Sequence, residues 1–156
     1  MPSDKQDIPG IIAPPPLIFA VPLAVTLLAN WRWPAPVMSN RYARILGVVL
    51  GVVAIGMDAA AFIQFRRAGT AVMPYSPTTA IVDTGPYRFT RNPIYLSMLL
   101  GYVGISLVAN SVWPLLVLPL VLLVVQRGVI QREERYLEGK FGGVYVAYKS
   151  RVRRWI

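Results

Sequence analysis

"IYLSMLLGYVGISLVANSVWPLLVLPLVLLVV", residues 94–125, decides the fold. Its two apolar runs, 94–109 and 112–125, contain no charged residue and are joined only by Asn110 and Ser111, so they read as a tight helical hairpin. Working outward, "IIAPPPLIFAVPLAVTLLAN" (11–30) and "ARILGVVLGVVAIGMDAAAFIQF" (43–65) reach the ~20 apolar residues that a spanning helix needs, and the hairpin runs are somewhat shorter. The fold class is therefore all-α: an integral, multi-pass membrane bundle of about four transmembrane helices.

Composition agrees. Hydrophobic residues make up 55% of 156 and charged residues only 15%, with a mean hydropathy of +0.51. The opening "MPSDKQDIPG" has more acid than base, so no cleaved leader is expected and the first apolar segment is retained. Pro14, Pro15, Pro16 and Pro22 make that segment the one expected to kink or lie partly in the interface. The chain has no cysteine and no histidine, which removes disulfides, thiol nucleophiles, imidazole bases and most transition-metal sites; no metal ligand set is expected.

The net charge of +9 sits beside apolar spans, where anionic lipid rather than nucleic acid is the expected counterion. With four spans, one side carries Lys5, Arg66, Arg67, Arg88, Arg91, Arg127, Arg132, Arg135, Lys140, Lys149, Arg151, Arg153 and Arg154, and the other only Arg32, Arg41 and Arg44. The positive-inside rule puts the 66–93 loop and the C-terminal tail together in the cytoplasm. Residues 1–156 read as one domain. Gly47, Gly51 and Gly56 have a small-residue spacing that suits close packing either within the fold or between two copies, so a homodimer stays open.

The fourth span is expected to run on as helix through "QRGVIQREERYLEGKFGG" to Gly142 and Gly143. On such a helix Glu133 and Glu134 lie about 100° apart, so only one is expected to face a pocket, with Gln126 above Glu133 and Arg127 above Glu134. Tyr145 and Tyr148 either anchor an interfacial stretch or line a site. Gly85 and Pro86 turn the loop, and Asn92 caps the third helix, whose free N–H groups suit a carboxylate or phosphate. Asp58 is read as structural, reaching Arg66 or the headgroups.

"TGPYRFTRNPIY", the hairpin, and then "EERYLEGKFGGVYVAYKSRVRRW" resemble the isoprenylcysteine carboxyl methyltransferase and phospholipid methyltransferase group of integral membrane enzymes. The group's signature runs G-P-Y, Arg-His-Pro-x-Tyr, a hydrophobic stretch, Glu-Glu, then Phe-Gly-x-x-Tyr-x-x-Tyr. The resemblance covers 79–155 and implies a cofactor-binding core over 79–156, placed after two N-terminal spans in 11–65. It implies S-adenosylmethionine as cofactor, held between the loop and the C-terminal helical extension, with a lipidic or hydrophobic acceptor arriving from the bilayer. By position it implies Thr79, Ala80, Ile81 and Val82 as a backbone strip beside the cofactor, and Tyr87, Asn92, Pro93, Ile94 and Tyr95 around it. Glu133 is implied for the cofactor's ammonium, Glu133, Tyr95 and Asn92 as the catalytic set, and Arg127 for the acceptor side.

Two positions depart from the pattern. Asn92 stands where the group has histidine, which keeps hydrogen bonding and removes acid-base chemistry, and Ser97 stands where glycine is common. Two other readings compete with the methyltransferase. Sterol reductases have a similar C-terminal helical core but bind a nicotinamide cofactor, which needs more phosphate-binding surface than this chain offers. A non-enzymatic lipid-binding bundle would use the arginines only to grip headgroups.

Overall fold

The structure is a computed structural model that describes residues 7–70 and 76–156. Lys5 and residues 71–75 of the loop lie outside the described residues. The regular elements are all helical: α1 (Pro15–Arg32), α2 (Asn40–Ala68), a 3-10 turn (Gly85–Arg88), α3 (Pro93–Val108), α4 (Val112–Val125), a π-helical turn (Gln126–Ile130), α5 (Gln131–Phe141) and α6 (Gly143–Arg151). α1, α2 and the unbroken helix Val112–Phe141 are long and apolar enough to cross a membrane. α3, with 16 residues, is shorter. At 1.5 Å per residue it spans roughly 24 Å, somewhat less than the hydrocarbon core. The membrane bundle expected from the sequence is what forms, and α1 continues through Pro22 without a break.

α2 and α3 make the most extensive helix pair, because α2 turns a face of small residues to its neighbour. Ala43, Gly47, Ala54 and Ala61 are buried along that face at spacings of four and seven. A methyl added at Gly47 would lie 2.6 Å from the Gly104 carbonyl oxygen, and one added at Gly104 would lie 2.9 Å from that of Gly47. The two backbones approach as closely as glycine allows. Gly47 is thus used inside the fold, whereas a methyl at Gly51 or Gly56 would meet nothing within 4 Å.

At one end of the bundle the short hairpin turn forms as expected. Asn110 adopts a positive φ of 47°. Its side chain accepts the Val37 amide proton at 2.9 Å and donates to the Met38 carbonyl at 2.8 Å, tying the turn to the α1–α2 connection. The other end builds a pocket from the chain's polar segments.

The helical extension of α4 is not plain α-helix. The π turn over Gln126–Ile130 inserts one extra residue and rotates the downstream helix by about 100° relative to a continuous α-helix. The Gly128 carbonyl, inside this turn, accepts the Ile12 amide proton at 3.2 Å. Gly128 leaves no room for a side chain because Ile12 lies where one would be: an added methyl would collide with Ile12 Cδ1. A glycine tolerated in a helix on sequence grounds is the docking point of the N-terminal segment.

Candidate functional site

A cavity of about 420 Å³ lies where the start of α1, the C-terminal half of α2, the 78–95 segment, α5 and α6 meet. That is within the range of small-molecule sites. Its apolar wall includes Phe62, Phe65, Ile81, Val82, Ile94 and Met98, and its polar wall Asp58, Arg91, Asn92, Tyr95, Glu133 and Glu134. Tyr87 is buried between the two, with Phe65 edge-on to its ring at 5.5 Å.

Glu133 and Glu134 both line the cavity, which corrects the expectation that only one would. They differ in their partners. Glu133 accepts one hydrogen bond, from the Tyr95 hydroxyl at 2.6 Å. Glu134 is buried and held by two arginines: Arg154 donates through Nε at 3.0 Å and Nη2 at 2.7 Å, and Arg91 Nη1 lies 3.1 Å away. The two-pronged bond from Arg154 is the strong geometry for a guanidinium and a carboxylate. Glu134 is therefore neutralised by the fold, and Glu133 keeps a carboxylate oxygen free of protein donors among the described residues.

Arg91 supplies the opposite charge. Its side chain is only 9% exposed and Nη1 lies 3.1 Å from the Glu134 carboxylate, yet among the described residues neither Nε nor Nη1 has an acceptor in hydrogen-bond geometry. A buried guanidinium with open donors is costly unless a ligand completes it. Two backbone amides at this corner are already engaged. Arg91 N–H donates to the Arg153 carbonyl at 2.9 Å and Asn92 N–H to Thr90 Oγ1 at 3.1 Å. The residues just before α3 thus hold the chain's own C-terminal strap.

The Asn92 side chain does not cap α3. It donates to the Arg154 carbonyl at 2.9 Å, and Thr90 Oγ1 donates to the same oxygen at 3.1 Å. Tyr148 hydroxyl donates to the Tyr87 carbonyl at 2.8 Å, and Trp155 Nε1 donates to Gln126 at 3.0 Å. The tail after α5 thus folds back over the cavity. Tyr145 and Tyr148 line the site, which resolves the choice between anchor and wall. Burial pushes the Tyr145 phenol up to about 12, with the Glu134 charge adding to the effect.

The phospholipid methyltransferase family model matches residues 42–143, well over half of the chain. The chain belongs to the phospholipid methyltransferase family. Membership supports a membrane methyltransferase. An uncharacterized protein of Haemophilus influenzae is 41% identical over 63 residues, 40% of this chain and all of its own length. The cobalt-zinc-cadmium resistance protein CzcN of Cupriavidus metallidurans is 30% identical over 121 residues, 76% of this chain; the chain spans about half the length of that protein, 51%. No solved structure matches the chain.

This family member brings most of the residues singled out from sequence to one place. Ala80, Ile81, Val82, Tyr87, Asn92, Ile94, Tyr95 and Glu133 all line the cavity. Thr79 is exposed and faces the end of α2, its amide donating to Thr70 Oγ1 at 2.9 Å. Pro93 is fully buried in the first turn of α3, outside the cavity lining. Arg127 lies in a separate hollow with Gln126, Leu96 and Trp155. The alignment of Arg127 over Glu134 assumed 3.6 residues per turn, and the π turn removes it.

Sequence reasoning missed Phe62, Phe65, Tyr136 and the N-terminal prolines as cavity wall, and read Asp58 as reaching Arg66 or the headgroups. Asp58, Phe62 and Phe65 sit at i, i+4 and i+7, a helix-face signal visible in the sequence. Asp58 does not reach Arg66, whose guanidinium stacks 5.0 Å over the Phe62 ring. It accepts instead from Ser97 Oγ at 3.1 Å. Nothing local announces Pro9 or Pro14 as cavity residues, because they arrive through the Ile12–Gly128 contact.

Proposed function

We propose that this chain transfers a methyl group from S-adenosylmethionine to a lipidic or hydrophobic acceptor at the cytoplasmic face of the membrane. One observation carries the reading: a single cavity presents an under-coordinated buried guanidinium, Arg91, and a carboxylate with a free oxygen, Glu133. Such a pair complements a zwitterion. The amino-acid end of S-adenosylmethionine is one, so the residues present fit the cofactor.

In this reading Glu133 takes the ammonium and Arg91 the carboxylate, while Tyr95 fixes the Glu133 rotamer through its hydroxyl. Ala80, Ile81 and Val82 offer a partly apolar strip, with Tyr87 and Ile94 closing the sides. When bound, the cofactor supplies an electrophilic methyl on a sulfonium. Asn92 orients by hydrogen bonding and moves no proton, since its amide does not ionise and is already committed to the Arg154 carbonyl. The apolar wall and the C-terminal strap exclude water, which favours a transition state in which charge is dispersed. Lys149, Arg151, Arg153 and Arg154 gather near the cavity end of the chain, and the positive-inside rule supports a cytoplasmic opening.

Calorimetric titration of the purified full chain with S-adenosylmethionine and, separately, with a reduced nicotinamide dinucleotide tests the assignment. Saturable binding of the sulfonium compound, abolished in Glu133→Gln, is expected. Binding of the dinucleotide alone would replace this reading with a reductase.

A further inference from the structure

The hollow around Arg127, of about 700 Å³, shares no lining residue with the cavity already described. Its main wall is a stripe on one long helix: Pro119, Leu122, Leu123, Gln126 and Arg127 stand at i, i+3, i+4, i+7 and i+8. Leu96 and Leu99 of α3 face that stripe, and Trp155 and Ile156 of the C-terminal strap border it. The stripe is apolar over its first turn and polar over its second, a change that runs along the helix axis through roughly 12 Å. A helix lying at a water surface changes polarity around its axis instead. Polarity graded along the span is that of a phospholipid standing in one leaflet, with its chain beside the leucines and its phosphate beside the guanidinium.

The polar end is cationic and open. Arg127 is exposed, and among the described residues no carboxylate pairs with it. Neither Asp nor Glu lines the hollow. The Gln126 amide oxygen accepts from Trp155 Nε1 at 3.0 Å, which leaves the two protons on its nitrogen for a ligand, and Gln131 adds a second amide. A guanidinium flanked by amides is a donor set for phosphate oxygens. An arginine that only snorkelled to water would need neither the amides nor the groove beneath it. A headgroup with its own cation would bring like charge to Arg127, whereas an anionic headgroup brings none.

The hollow is joined to the cavity through one residue. Trp155 borders the hollow, donates to Gln126 and packs on the core cluster that includes Tyr95 and Ile130, both of which line the cavity. Its neighbour Arg154 holds Glu134 with its side chain, and its carbonyl accepts from Asn92 and Thr90. A molecule seated against Trp155 therefore bears on the strap that closes the cavity.

We propose that this hollow is a site for an anionic phospholipid, its phosphate held by Arg127 and Gln126 and its acyl chain laid on Leu96, Leu99, Leu122 and Leu123, and that its occupancy fastens the C-terminal strap over the neighbouring cavity. The lipid is a bound companion outside the cavity and is not consumed. The site goes beyond the methyl-transfer reading and does not depend on it.

The test uses the full chain in lipid discs without donor. Discs of phosphatidylcholine are compared with discs in which part of that lipid is replaced by phosphatidylglycerol with the same acyl chains. Occupancy is read from quenching of Trp155 by chains brominated near the headgroup, taken as the difference between wild type and Trp155→Phe. Trp31, Trp33 and Trp113 belong to the opposite end of the bundle. Brominated phosphatidylglycerol is expected to quench Trp155 at a mole fraction roughly fivefold lower than brominated phosphatidylcholine, the effect of one arginine on an anionic lipid. Arg127→Gln, at an exposed position, is expected to bring the two lipids to parity.

The strap is followed by amide hydrogen exchange over residues 149–156. Exchange is expected to slow several-fold when phosphatidylglycerol is added to wild type, and to stay unchanged in Arg127→Gln. Soluble glycerophosphate, which offers the phosphate without chains, is expected to leave the strap unaffected. Equal quenching by the two lipids in wild type overturns the proposal without recourse to any variant. So does an undiminished preference in Arg127→Gln, a strap that exchanges at the same rate with either lipid, or equal slowing by glycerophosphate, which would assign the hollow to a free anion.

Discussion

Glu133 and Glu134 are neighbours in sequence, line one cavity, and are expected to fail in opposite ways. Replacing Glu134 with Gln removes the charge that joins Arg91 and Arg154. Breaking a buried ion pair from one side costs about 3–5 kcal/mol. Arg154 is 31% exposed, so solvent relieves its share, and the lower end of that range, about 3 kcal/mol, applies. A chain of this size loses about 2–4 °C of melting midpoint per kcal/mol, which gives a drop of roughly 6–12 °C. Glu133→Gln keeps the side-chain volume and an oxygen for the Tyr95 hydroxyl, so its cost stays under about 1 kcal/mol, or roughly 3 °C. Yet Glu133→Gln is the variant expected to lose donor binding. The assay is a thermal-unfolding scan of detergent-purified protein at a fixed rate, paired with donor titration. A Glu134→Gln midpoint within 2 °C of wild type, or equal losses of stability in both variants, would refute the division of roles.

Other consequences rest on single contacts. Gly47→Ala forces a methyl against the Gly104 carbonyl and should cost about 1–3 kcal/mol in the same scan, whereas Gly56→Ala, which meets nothing, should be neutral or stabilising by up to about 1 kcal/mol. Removing residues 152–156 deletes the carbonyls that Arg91 and Asn92 donate to, so donor affinity should fall at least about tenfold even though the helices still form, as circular dichroism would show. Gly128→Ala should displace Ile12 and make the N-terminal segment cleavable under mild proteolysis while the bundle stays intact. Tyr145 has a folded-state value of about 12 against an ordinary phenol near 10. Its contribution to stability is therefore full below about pH 10 and lost as pH rises toward 12, and ultraviolet titration should find it silent across the physiological range.

The membrane fold was legible because it rests on length and hydropathy alone. Two charge-free runs joined by Asn110 and Ser111 can hardly be anything but a hairpin, and Gly142 and Gly143 ended the extension where the structure ends α5. Glu133, Tyr95 and Tyr87 were legible through a pattern shared with other sequences. What was not legible depends on three-dimensional closure. The π turn leaves no composition signature, yet it rotates Arg127 away from the Glu134 side. The pairing of Glu134 with Arg154, twenty residues on, requires α6 to fold back, which local periodicity does not state. Asn92 illustrates the limit most clearly: its position before α3 followed from Pro93, but its partner, the Arg154 carbonyl, comes from the far end of the chain.

In the proposed function one membrane-edge cavity grips a zwitterionic sulfonium donor between Arg91 and Glu133. An experimental structure of the full chain soaked with S-adenosylmethionine or its demethylated product tests it most directly. Nucleoside density is expected between Tyr87, Tyr95 and Glu133, with the amino-acid end at Arg91. Density instead in the hollow beside Arg127 and Trp155, or an empty cavity at saturating ligand, would contradict it.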